Sequence, residues 1–251
     1  SLENLNKIKN NDPIYQKALQ YKISSHYFLE NYSKSIELEK FIDDQTDNKD
    51  YCHYYIAESY LKLKKYDKTL SNLLNIKNYI DRENDIKFKI AYSYYMLGFY
   101  EKSKVYFKEL TEKKNDYSQK SFFYLGKIFQ ENDRINQAKN YFYAAYRDNK
   151  DDEYTKNALL NYSKSNYIIG DYDLSITTLE KLKVQFPNFR LDEVNSLISE
   201  NYFLTNNYDK IITYLSSLTS ISKLDMSKFQ FITYQRGVRE FNKGNFKNSI
   251  K

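Results

Sequence analysis

The sequence predicts an all-α protein, a solenoid of antiparallel helix pairs. Three observations predict it. Glycine and proline are scarce, 5 and 2 in 251 residues, which favours helices over a turn-rich sheet. Apolar residues recur three and four apart, the period of one helix face. The pattern then repeats every 34 to 38 residues, the mark of small units that stack to share a core.

The stretch YLGKIFQENDRINQAKNYFYAAY, Tyr124 to Tyr146, shows one unit. With Phe122 just upstream, Leu125 and Phe129 share one face. Ile135, Ala138, Phe142 and Ala145 share another, and polar QENDR separates the two, as in a helical hairpin. The residue that opens each second helix falls at Tyr32, Tyr66, Tyr100, Ile135, Tyr172, Tyr208 and Phe246. A small side chain follows at Ser35, Thr69, Ser103, Ala138, Ser175 and Ser249, with Ile211 the exception. Four further on stands a large apolar one, Leu73, Phe107, Phe142, Leu179 or Leu215, with Glu39 in its place in the first unit.

Glycine and proline obey the same register. Gly98, Gly170 and Gly244 precede an opening aromatic by two residues, where a turn needs left-handed backbone. Gly126 and Gly237 precede it by nine, a phase shared with Ala57 and Ala91. There a small residue lets the facing helix approach closely. Pro13 and Pro187 stand just before first helices, where no amide proton is needed. The period divides the chain into the end of an upstream repeat (1–15), six helix pairs (16–49, 50–83, 84–118, 119–155, 156–191, 192–229) and a truncated seventh (230–251). On this reading the chain is one solenoid, a window on a longer array.

Composition narrows the function. Net charge is +6, from 39 basic and 33 acidic residues scattered along the chain. A nucleic-acid binder concentrates its cations on one face, so nucleic acid is a disfavoured partner. No apolar run could span a membrane, and mean hydropathy is −0.80. One cysteine, Cys52, permits no internal disulfide. The two histidines, His26 and His53, lack a second ligand pair at zinc spacing, and His53 is read as a core residue. The acidic stretch FIDDQTDNKD (Asp43, Asp44, Asp47, Asp50) lacks the glycine and terminal glutamate of a calcium loop; it reads as a solvated linker carrying helix caps, and DNKDDE (148–153) reads likewise. No glycine-rich phosphate loop is present. The sequons at Asn31 and Asn161 fall near or within helices and are read as chance. No catalytic residue, metal, cofactor or small-molecule substrate is expected.

These motifs resemble the tetratricopeptide repeat family, whose helix pair of about 34 residues carries a large residue, Leu-Gly and Tyr in the first helix and Tyr-x-x-Ala, Phe and Ala in the second. Phe122, Leu125, Gly126, Phe129, Ala138, Phe142 and Ala145 carry the resemblance most closely. HYYIAESYLKLKKYDKTLSNLLNI and KIAYSYYMLGFYEKSKVYFKEL carry it well, and Gly170, Tyr172, Leu179 and Pro187 extend it. It covers nearly the whole chain. The resemblance implies a right-handed α-α superhelix with first helices on the concave side. The turn QFPNF resembles those of bacterial cell-envelope members, which implies periplasm or envelope ahead of cytoplasm.

Carried onto this sequence, the inward-facing phases fall at Tyr27, Tyr54, Phe88, Tyr92, Tyr95, Phe123, Lys127, Lys164, Tyr167, Phe203 and Tyr234. They imply an aromatic groove for a peptide or protein segment. The other reading of each ring is packing between neighbouring repeats. The family's paired Lys and Asn clamp for a C-terminal carboxylate is missing, since Tyr54, Glu58, Phe88 and Tyr92 hold those phases. The expected function is a non-catalytic protein-interaction scaffold. Two alternatives stand beside it: a sensory or regulatory array coupled to an output domain elsewhere, and, lower, an RNA-binding helical repeat. Uncapped ends would also permit self-association. The 28 tyrosines are open between coding bias and function.

Overall fold

The computed structural model describes residues 2–9, 12, 14–78, 82–112, 114–149, 152–205, 208–217 and 223–250; Pro13 lies outside them. The described residues form helices joined by turns, with no strand among them. After α1 (Leu2–Lys7) come seven helix pairs. The first helices are α2 (Tyr15–Phe28), α4 (Lys49–Lys62), α6 (Glu83–Met96), α8 (Ser118–Glu131), α10 (Asp152–Ile168), α12 (Leu191–Leu204) and α14 (Lys223–Asn242). The second helices are α3 (Tyr32–Glu37), α5 (Tyr66–Leu74), α7 (Tyr100–Glu112), α9 (Ile135–Asp148), α11 (Tyr172–Gln185), α13 (Tyr208–Ser217) and α15 (Phe246–Ser249). Each second helix begins at the residue that the period picks out. α14 starts upstream of residue 230, because no glycine or proline interrupts the run from Lys223 to Thr233.

The turn inside each pair is one recurring motif. In the first pair, the amide of Asn31 donates to the His26 carbonyl and that of Glu30 to the Tyr27 carbonyl, both at 2.9 Å. The same two bonds recur at Lys65 and Lys64, Phe99 and Gly98, Arg134 and Asp133, Asp171 and Gly170, and Asn245 and Gly244. They satisfy carbonyls that the helix end would otherwise leave unpaired. The motif needs one left-handed residue, and Gly98, Gly170 and Gly244 supply it with φ of +78°, +85° and +80°. Glu30, Lys64 and Asp133 supply it elsewhere, at φ of 58°, 57° and 55°.

The chain forms two compact units, Ser1–Ile128 and Phe129–Lys251, with the boundary inside α8. In the first, α2 packs on α3 and α4, α4 on α5, α5 on α6 and α6 on α7. In the second, each helix from α9 to α15 packs on its successor. The core of the first unit gathers Leu19, Ile23, Ile56, Leu73 and Ile90, each at most 1% exposed. That of the second gathers Leu159, Leu179, Ile198, Ile211 and Leu215. A single helix pair could not enclose such side chains; neighbours do it together.

Within a pair, the small phase of the second helix lies against the first. Ser35 Oγ donates to the Ile23 carbonyl at 3.2 Å, Ser103 Oγ to the Ala91 carbonyl at 2.7 Å and Ser175 Oγ to the Ser163 carbonyl at 2.9 Å, each spanning twelve residues. Gly237 stands at the same phase as Ala91, and a Cβ placed there would lie 2.9 Å from the Ser249 carbonyl oxygen. At the departure, Ile211 is fully buried and the first-helix residue of that phase is Ser199, 1% exposed.

The acidic linker differs from expectation. Asn48 occupies the N-cap of α4 in left-handed backbone without a side-chain cap. Asp50 instead accepts the amides of Lys77 and Asn78, both at 3.0 Å, while Asp43 and Thr46 close a turn tied to Gln16. Longer-range partners outcompete capping there.

Ala138 is fully buried in α9, so Ala138→Phe should destabilise the fold by roughly 1–3 kcal/mol through overpacking. Thermal unfolding followed by circular dichroism checks this; an unchanged midpoint would refute the assigned packing.

Candidate protein-interaction face

In the first unit the first helices are laced together by a ladder of ionic side chains and phenols. Tyr27 on α2 donates its hydroxyl to Glu58 Oε2 on α4 at 3.0 Å. Glu58 Oε1 lies 2.8 Å from Lys89 Nζ on α6. Lys89 also pairs with Asp85, one turn away. Asp85 in turn accepts the hydroxyls of Tyr54 on α4 at 2.7 Å and Tyr117, just before α8, at 2.6 Å. The Arg82 guanidinium covers the Tyr54 ring, 4.7 Å from its centroid.

Protonation states follow from this packing. Burial alone would lower Lys89 and raise Asp85. The Glu58 and Asp85 carboxylates outweigh it at Lys89 and hold the ammonium above its usual range. Lys89 and the donated hydroxyls outweigh it at Asp85, which titrates below the usual carboxylate range. Burial pushes the Tyr54 phenol up to about 12. Burial and the neighbouring carboxylate raise Tyr27 and Tyr117 likewise. At neutral pH Asp85 is therefore a carboxylate, Lys89 an ammonium, and Tyr27, Tyr54 and Tyr117 are phenol donors.

Tyr27 to Glu58, Tyr54 to Asp85 and Glu58 to Lys89 are each 31 residues apart. A constant offset means that successive first helices run parallel in fixed register. The pairing was legible in principle as tyrosine or lysine facing an acid at that offset, a signal that composition and periodicity of apolar residues do not carry.

Above the ladder sits an aromatic cluster centred on Tyr124 of α8, a residue that the inward-phase mapping omits. Its ring stacks on Phe107 at 5.3 Å and meets Tyr92 at 5.3 Å, Tyr95 at 5.1 Å and Phe123 at 5.6 Å. Phe88 lies parallel to Tyr92 at 6.3 Å and tilts against Tyr117 at 5.3 Å. The expected residues thus separate. Phe88, Tyr92, Tyr95, Phe123 and Lys127 are half-buried on α6 and α8, and the first four form one aromatic strip. Tyr27 is half-buried and contributes its ring to Tyr55 and Tyr32. Tyr54 is buried at 7% exposure with its hydroxyl on Asp85; it is a packing residue rather than a surface wall.

The second unit holds the remaining four. Lys164 pairs with Glu193 at 2.6 Å. Tyr167 packs on Tyr172, and Lys228 lies over the Phe203 ring. Tyr234 is 68% exposed on α14.

The histidines and the cysteine are core residues. His53 Nδ1 lies 2.9 Å from Asn72 Oδ1, and Asn72 donates to Glu39 Oε1 at 2.7 Å. Glu39, which stands where other repeats carry a large apolar residue, also accepts the Tyr60 hydroxyl at 2.6 Å. Burial pushes the Cys52 thiol up to about 12, so it is protonated and inert. Among the described residues no three His, Cys, Asp or Glu side chains gather as metal ligands, and no helix is long and apolar enough to cross a membrane.

This geometry is similar to that of solved helical-repeat proteins. A tetratricopeptide repeat protein from Parabacteroides merdae ATCC 43184 superposes with a TM-score of 0.59 at 14% identity, covering 93% of this chain and 89% of its own. MamA of AMB-1 gives 0.58 at 16% identity, with 72% of this chain and 97% of MamA covered. YrrB, described as a tetratricopeptide protein with an unusual peptide-binding site, gives 0.57 at 10% identity, with 74% and 92% covered. No protein-family model matches the sequence, and no curated protein does. The fold is that of the tetratricopeptide repeat proteins.

Two predictions follow from the buried groups. Lys89→Met leaves two carboxylates facing each other without their cation, and should destabilise the fold by roughly 3–5 kcal/mol in urea unfolding. Removing the exposed Lys49 that pairs with Asp44 should leave the curve unmoved. His26 is buried, with Nδ1 unpartnered among the described residues. Burial and the nearby Lys34 and Lys22 hold it below its ordinary value against the pull of Glu37. Below about pH 6.5 the unfolded chain takes up a proton that the folded one refuses. Stability should therefore fall as pH drops from 7 to 5, and His26→Gln should flatten that slope.

Proposed function

We propose that the protein is a non-catalytic interaction scaffold that binds a peptide or protein segment on the first-helix face of its first unit. The observation that carries this is the aromatic strip of Phe88, Tyr92, Tyr95 and Phe123, half-buried around Tyr124 and seated on a hydrogen-bonded ladder. Aromatic rings offer large contact area with little entropy to lose. A ladder that fixes the register of α4 and α6 presents them pre-organised, which lowers the cost of binding. A bound segment would lay apolar side chains on the strip, with its charged groups toward Lys127.

The fold supports the same reading. Tetratricopeptide-type folds are repeat scaffolds, and YrrB is described as binding a peptide.

The test is selection from a random peptide library displayed on phage, followed by affinity measurement with the selected peptide. Tyr92→Ala with Phe123→Ala should weaken binding at least tenfold while far-UV circular dichroism keeps its helical signal. Equal affinity in the folded variant would move the site away from this strip.

A further inference from the structure

We propose that the first unit carries a second interaction surface, a row of turn tips that rests on an anionic lipid bilayer. The inference is independent of the aromatic strip. Six apolar side chains stand at these helix ends: Phe28 closes α2 and Leu29 follows it, Leu63 follows α4, and Met96 closes α6, with Leu97 and Phe99 after it. They are between 36% and 69% exposed. Single exposed apolar residues are ordinary, but a contiguous set marks an interaction site.

The set is contiguous because of the ladder. Its constant 31-residue offset makes α2, α4 and α6 parallel neighbours, so their C-terminal turns emerge on the same side. The three tips therefore form a row. The recurring turn motif holds each tip rigid through its paired amides.

Charge selects the occupant. Lys62, Lys64 and Lys65 flank Leu63, all exposed, and none pairs with a carboxylate among the described residues. Lys102 lies over the Tyr94 and Phe99 rings, its stem along the apolar tip. Apolar tips between unpaired lysines match the two layers of a membrane interface, acyl boundary below and anionic headgroups above. A row of protruding tips also suits a flat surface. Glu30 and Glu101 also stand at these tips, against Lys62, Lys64, Lys65 and Lys102, so the row is cationic on balance. The second unit puts Ile168 and Leu204 at the same phase, but 168–171 and 204–207 hold no lysine and Asp171 adds a carboxylate, so the anionic surface is assigned to the first unit.

The chain has no tryptophan, which supplies the experiment. Phe99→Trp places a lone indole on the row, excited selectively over the tyrosines, and Val105→Trp, on exposed α7 surface, is the control. Vesicles of phosphatidylcholine with phosphatidylserine at 3:1 should shift the Phe99→Trp emission to the blue and leave Val105→Trp unmoved. Pure phosphatidylcholine should shift neither. In vesicle sedimentation, Lys64→Gln with Lys65→Gln should lower the partition coefficient about fivefold per lysine, and Leu63→Ser with Phe99→Ser at least tenfold. No shift with either vesicle, or equal shifts at both positions, would overturn the proposal. So would binding that salt abolishes but Leu63→Ser with Phe99→Ser leaves unchanged, since that is charge attraction without docked tips.

Discussion

The fold depends on the close approach of the second helix of a pair to the first, made where the second helix carries a small residue. At Ser35, Ser103 and Ser175 a hydroxyl spans that contact. At Gly237 the approach leaves no room even for a Cβ, which would sit 2.9 Å from a backbone oxygen. Two helices that meet this closely bury the large residue one turn on, such as Phe107 or Leu179, fully. A larger side chain at the contact would push the helices apart and expose that residue. Size at one position thus sets the angle of the pair, and the angle sets which face is left for the neighbouring pair.

Much of this was legible because it is repeated. A serine or alanine three residues after an aromatic says little once; in register along the chain it fixes both helix starts and the core. The large phase was equally plain, and Leu73, Phe107, Phe142, Leu179 and Leu215 are all at most 1% exposed. The turn was legible only in part. Gly98, Gly170 and Gly244 announced it, yet Glu30, Lys64 and Asp133 adopt the same left-handed backbone. The two paired amides offset the conformational strain that a side chain adds there, so the motif persists without its glycine.

The ladder and the Tyr124 cluster were not legible from apolar periodicity, and the reason is physical. A tyrosine on a first helix can turn its ring toward solvent or toward the next repeat, and its own helix does not decide. What decides is whether the next repeat offers an acceptor. Tyr54 finds Asp85 and is drawn inside. The same logic accounts for Glu39. An acid at an apolar phase looks like a defect until Asn72 and Tyr60 are found donating to it.

That dependence bears on why so many tyrosines are present. Coding bias could supply the residues, but it does not place an acid 31 residues after Tyr27 and again after Tyr54. A phenylalanine in either place would fill the same space and leave a buried carboxylate with one donor fewer, the expensive outcome in a low-dielectric interior. In the first unit the phenols therefore act as donors to the buried Glu58 and the half-buried Asp85. Those two carboxylates hold Lys89, and Lys89 ties α6 to α4. A helix stack joined by short side chains to apolar neighbours could slide by a turn at small loss. One joined by directional bonds at a constant offset cannot, and the aromatic strip above it keeps its shape for that reason.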